Sequence, residues 1–111
     1  MVNRVAPQIH RILAGEVVII SADCQGYLDE GETITGAVTV TEETTSQFSI
    51  SGAQANTTAL TINGQAVPIR EAVLATVDAT GAAVGSYTLL ITFVTSSSQT
   101  RKGRVCLNVV A

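Results

Sequence analysis

The chain has 111 residues, of which 46% are apolar and only 14% charged. It is rich in Thr, Ser, Val and Ala, lacks Trp and has a single Lys. This length bounds one domain with one core, and the composition excludes a disordered or mainly helical chain. A net charge of −3 and a pI near 4.9 argue against a nucleic-acid footprint, which needs clustered Lys and Arg, and so little charge fits a surface partly covered by neighbours.

Residues 1–15 (MVNRVAPQIHRILAG) hold Arg4, Arg11 and the single His, and no acid. Gln8, His10 and Arg11 interrupt any apolar signal segment, and no apolar run reaches the length that spans a bilayer, so assembly in a cytoplasm without a membrane partner is expected. Ile9, Ile12 and Leu13 have the spacing of one short amphipathic turn. Two readings stand: a frayed terminus, and an arm with apolar anchors that docks on a partner or a sister subunit. The apolar content (Val2, Val5, Ile9, Ile12, Leu13) favours the arm. The expected division is therefore an N-terminal arm over 1–15 and a β-domain over 16–111.

Residues 16–21 (EVVIIS) predict a short apolar strand, and 22–31 a turn region marked by Gly26, Asp29, Glu30 and Gly31. Over 33–41 the chain alternates, with Ile34, Val38 and Val40 on one face and Thr on the other; Gly36 in the apolar row marks a bulge or a close approach. Residues 42–47 read as a loop, Phe48 and Ile50 as a small strand, and 51–56 as another loop. Asn63-Gly64 between 58–62 and 65–69 is the preferred type I′ hairpin turn, with Ile62 facing Gln65, Leu60 facing Val67 and Thr58 facing Ile69. Pro68 cannot donate to a ladder, so that strand lies at an edge or ends early.

Residues 71–77 predict a strand with Val73, Ala75 and Val77 on one face. The longest strand is 85–95, with Tyr87, Leu89, Ile91 and Phe93 on its apolar face. Ser96 to Gln99 form a hairpin loop, and 100–110 return with Val105, Leu107 and Val109 inward. Seven or eight strands at near-regular spacing are the pattern of an antiparallel sandwich. Tyr87 is either a plain core residue or a tyrosine corner whose hydroxyl ties the preceding crossover.

No catalytic set is legible. One His in an arm supports neither a triad nor a metal site, and two distant cysteines make no zinc site, so no cofactor or metal is expected. Cys24 and Cys106 lack the Trp that packs on an immunoglobulin-type bridge and are read as free thiols. Asp23, Asp29, Glu30 and Glu32 do not alternate as a calcium loop does and read as a solvated acidic turn. Asn56-Thr57-Thr58 is formally a glycosylation sequon, coincidental without a secretory signal. Arg101, Lys102 and Arg104 form a basic patch that reads as a solvated edge strand, or as the mate of the acidic turn in a neighbouring copy.

Four segments carry a resemblance: YLDEGETI at 27–34, VTV at 38–40, GAAVGSYTLLITFVTS at 81–96 and RKGRVCLNV at 101–109. Over 16–110 the chain resembles small immunoglobulin-like phage virion proteins, including fibre-tail adaptors and capsid decoration proteins. The resemblance implies an immunoglobulin-like antiparallel β-sandwich and a non-enzymatic virion protein. Such a protein attaches fibres to the tail or neck, or decorates and cements the capsid. Its partners would be tail, neck, fibre or major capsid proteins and further copies of itself. The expected contact residues are Arg4, Ile9, Ile12 and Leu13 in the arm, Asn63 and Gly64 at the hairpin tip, and Ser97, Arg101 and Lys102. The alternative is a cell-surface or carbohydrate-binding β-module, which predicts a secretory signal and exposed aromatics.

Overall fold

The alternation that begins at Gly85 persists for eleven residues, and in the computed structural model it forms the central strand of a four-stranded sheet. The structure describes residues 8–62 and 64–111, with the backbone alone for 8 and 9. In chain order the strands are β1 (Gln8–Leu13), β2 (Val17–Asp23), β3 (Ile34–Glu42), β4 (Ser49–Ala55), β5 (Leu60–Ile62), β6 (Gln65–Val67), β7 (Ala72–Asp78), β8 (Gly85–Thr95) and β9 (Thr100–Val110), with one 3-10 turn at Gln25–Tyr27. One sheet runs β1-β9-β8-β3, a second β2-β7-β4, and β5-β6 is a separate hairpin.

The inward rows follow the period of two. Leu89, Ile91 and Phe93 of β8 and Val105, Leu107 and Val109 of β9 meet Ile20 and Ala22 of β2 and Val73, Ala75 and Val77 of β7 in one buried cluster. Both sheets therefore share a single core, and their outer faces carry the intervening residues, a mixture of polar and exposed apolar side chains.

The expected bulge occurs at Gly36: the β3–β8 register shifts between Thr35 and Val38, and Gly36 sits at φ +72°. The β5–β6 hairpin pairs Leu60 with Val67 and Ile62 with Gln65, the register the turn dictates, with Gly64 at φ +77°. Pro68 and the Thr58–Ile69 pair lie outside that ladder. The Tyr87 hydroxyl donates to the Ala83 carbonyl at 2.6 Å, tying the 79–84 loop to the base of β8, and its ring meets Phe48 edge-on at 4.9 Å.

Three expectations are corrected. The amphipathic turn read from Ile9, Ile12 and Leu13 is instead β1, which adds to the sheet edge parallel to β9, with Ile12 opposite Val109. A parallel edge strand supplies the backbone partners that one isolated turn lacks, and Ile12 enters the core at 5% exposure. The loop read over 51–56 is the second half of β4, which continues past a bulge at Gly52 (φ +66°) because β7 offers Leu74 and Val73 as partners. Tyr27, in the region 22–31 expected only to turn, is nonetheless part of the core: it is 7% exposed and lies on Gly103, where glycine alone leaves room for its ring.

Candidate functional site

The hairpin end of the domain is built around Asn56, which is fully buried. Its side-chain amide donates to the carbonyls of Thr58 (2.8 Å) and Pro68 (2.9 Å), and its side-chain oxygen accepts from the backbone N–H groups of Glu71 (3.1 Å) and Ala72 (3.0 Å). One side chain thus closes both ends of the β5–β6 excursion onto the start of β7. Arg70, at φ +60°, donates from Nε to the Ile34 carbonyl at 2.8 Å and joins the hairpin base to β3. With Ile62, Val67 and Ala72 in a small core of its own, the hairpin is a supported projection carrying Gly64 at its exposed tip. Burial leaves the Asn56 amide inaccessible in the folded domain.

The 96–99 loop stands beside the hairpin base. The Ser96 N–H donates to the Thr33 carbonyl at 2.8 Å and the Thr33 N–H to Ser96 Oγ at 3.1 Å, while Ile34 N–H reaches Arg70 O at 2.8 Å. Thr95 Oγ1 accepts from Ser97 and Gln99. Gly64 and exposed Ser97 therefore belong to one end of the domain, whereas Arg4 and Asn63 lie outside the described residues.

Arg101 has a different role from the one expected. Odd-numbered residues of β9 face inward, so Arg101 turns into the molecule in line with Gly103 and Val105. It reaches Asp29 Oδ2 at 3.3 Å and Glu32 Oε1 at 3.7 Å, with side chains 17%, 40% and 2% exposed respectively. The mate of the acidic turn is thus in the same chain, and Glu32 is a buried partner rather than a solvated acid. The Asp29 N–H donated to Glu32, then the Thr95 and Ser97 hydroxyls and the Arg101 charge, outweigh burial and hold the Glu32 carboxyl below its usual range. Lys102, one residue on, faces outward and is exposed.

Ile12 is spent on the chain's own core, whereas Leu13 is 51% exposed. Leu13 pairs with Val110, nine residues along β9 from Arg101, a separation of about 30 Å on an extended strand. The anticipated contact residues therefore divide between opposite ends. Nothing is said by the structure of the Ile9 side chain.

His10 faces inward; burial lowers its pKa despite a hydrogen bond to the Ser21 backbone, and Nε2 has no partner. Burial pushes the Cys24 thiol up to about 12, which keeps it protonated and unreactive, and Cys106 is half-buried and likewise unpaired. Among the described residues no group of three or more His, Cys, Asp or Glu is arranged to hold a metal ion, and no helix is long and apolar enough to cross a membrane.

Sequence reasoning missed Asn56, the Tyr27–Gly103 contact and the sorting of charge between the two outer faces. An Asn just ahead of a hairpin, a Gly inside a final strand, and Lys102 and Arg104 in the same alternate row of that strand were the available signals. No protein-family model, curated protein or solved structure matches this chain.

Proposed function

We propose that this chain is a non-enzymatic structural protein of a phage particle, an immunoglobulin-like sandwich that attaches fibres to the tail or neck or cements the capsid through protein–protein contacts. The observation that supports the immunoglobulin-like part of this reading is the strand order. With β2, β7 and β4 in one sheet and β9, β8 and β3 in the other, the strands follow the B-E-D and G-F-C arrangement of immunoglobulin-type domains, and the first strand is carried over to pair with the last. The Tyr87–Ala83 bond at the loop before β8 matches a tyrosine corner in position and partner. This order supports the fold that the 27–34, 81–96 and 101–109 segments imply, and virion assignment rests on the likeness of those segments.

In this reading the supported hairpin tip and the 96–99 loop meet one partner at one end of the domain, and Leu13 with the preceding arm meets another. A hairpin braced at its base by Asn56 and Arg70 suits such a role, because less ordering entropy is lost when it docks. The deciding experiment is the copy number of the protein in purified particles, by quantitative mass spectrometry against the major capsid protein. A number comparable with the capsid protein indicates cementing, and a small multiple of the tail symmetry indicates neck or fibre attachment. Absence from particles refutes the proposal.

A further inference from the structure

The two outer faces of the domain carry opposite charge. In the β1-β9-β8-β3 sheet the outward row includes Arg11 opposite Asn108, Arg104 opposite Leu90 and Lys102 opposite Thr92. Thus three of the chain's six Lys and Arg share one face. No acid faces outward from those four strands. Glu42 turns in at the end of β3 to accept from the N–H groups of Gln47 (2.8 Å) and Phe48 (2.9 Å). Glu43, just past β3, accepts from Arg104 Nε at 2.7 Å and offsets one charge at the margin. The β2-β7-β4 sheet is the reverse. Its strands, VVIISAD, AVLATVD and SISGAQA, contain no Lys or Arg, and their outward residues include Asp23 and Asp78. Each face also exposes apolar surface: Val17 (59%) and Ile19 (72%) on the acidic side, Leu13 (51%) and Val94 (37%) on the basic side.

We propose that these faces are two halves of one contact: the β2-β7-β4 face of one copy docks on the β1-β9-β8-β3 face of the next. The occupant is a second copy of this chain because complementary charge and apolar surface are present on the same molecule. The contact is heterologous, so every copy keeps one face of each kind open and the arrangement propagates into a ring or a file. It uses neither the hairpin tip nor the 96–99 loop and does not depend on the virion reading.

Size sets the strength. The smaller face, three strands of seven residues, covers about 300 Å² in projection, well below the roughly 800 Å² per partner of a stable complex. The isolated protein therefore associates weakly, with a dissociation constant in the range of about 10 µM to 1 mM. Because the pairing is electrostatic, raising salt weakens it, by about tenfold between 0.05 and 0.5 M NaCl.

The test is sedimentation equilibrium of the full chain up to about 1 mM at low and high salt, where weak association is measurable. Two charge-reversed variants are compared with it, Arg11→Glu/Lys102→Glu on the basic face and Ser51→Lys/Asp78→Lys on the acidic face. Circular dichroism and thermal melting verify that each folds. Each variant alone should sediment as a monomer, while an equimolar mixture should recover association, since each reversed face then meets an opposite one. Association that persists in the single variants, association insensitive to salt, failure of the mixture to recover, or a wild-type chain monomeric throughout would each overturn the proposal.

Discussion

Replacing Asn56 by Ala should be among the most damaging single changes in this domain. The substitution removes two acceptor bonds, from the Glu71 and Ala72 N–H groups, and two donor bonds, to the Thr58 and Pro68 carbonyls, at a site with no solvent exposure. A buried group left unsatisfied costs about 1–3 kcal/mol, so four dry orphans would take about 4–12 kcal/mol. That rivals the whole stability of a domain this size, about 5–15 kcal/mol. The vacated volume is polar, however, and a water entering it can bond two to four of the exposed groups. A loss of about 3–5 kcal/mol is therefore expected. Urea unfolding followed by circular dichroism reads the total, and amide hydrogen exchange reads its location. Protection of Leu60–Ile62 and Gln65–Val67 should fall before that of β8 and β9. Asn56→Asp sharpens the argument: it keeps both acceptor bonds but faces two carbonyls with a carboxylate. Its folded pKa should rise above the ordinary Asp value of about 3.9, so the variant is closest to wild type at low pH and loses stability as pH rises through that window. A loss under about 1 kcal/mol for Asn56→Ala, or unchanged protection of the hairpin, would refute the account.

Other consequences are open to direct measurement. A Cβ at Gly103 would lie 2.9 Å from Tyr27 Cε2 and Cζ, so Gly103→Ala should cost about 1–3 kcal/mol in denaturant unfolding. Combined with Tyr27→Ala it should cost less than the two single changes summed. Tyr87→Phe deletes the 2.6 Å bond to Ala83 and should lower stability by about 1 kcal/mol, with faster exchange confined to the 79–84 loop. Acid should destabilise the fold in two stages. Burial lowers the His10 pKa, so below its ordinary value of about 6.5 the unfolded chain binds a proton that the folded chain resists, and stability begins to fall there. Glu32, Glu42 and Asp78 are held below their ordinary values by hydrogen bonds, so their contribution is present above about pH 4.5 and is lost as pH falls through the folded values. Melting temperature against pH, with His10→Leu flattening only the upper stage, checks both. A maleimide should label Cys106 in the folded protein and Cys24 only after unfolding; equal rates would contradict the burial that raises the Cys24 thiol to about 12.

Local chemistry made part of this molecule legible. The period-two rows of 85–95 and 100–110 marked Leu89, Ile91, Phe93, Val105, Leu107 and Val109 as core, because a strand can bury only alternate residues on one face. Asn63-Gly64 set the hairpin register, because the turn's geometry specifies which residues oppose each other. Gly36 marked a bulge for a comparable backbone reason. What the sequence could not specify was the partner of a weakly patterned segment. Residues 8–13 carry a spacing compatible with a helical turn, and only the open edge of β9 makes them a parallel strand. SGAQA at 51–55 lacks a strong strand pattern and is extended because β7 lies alongside. Asn56 read as a sequon in a loop until the chain around it closed and left its amide facing four backbone groups. Arg101 and Lys102 are neighbours in a basic run, yet the pleat sends one to Asp29 and Glu32 and the other to the outer face. Side-chain period and turn geometry act over a few residues and can be read along the chain, whereas strand pairing, burial and charge complementarity join groups as distant as Gln8 and Val105, or Asp29 and Arg101, and exist only once the sheets have assembled.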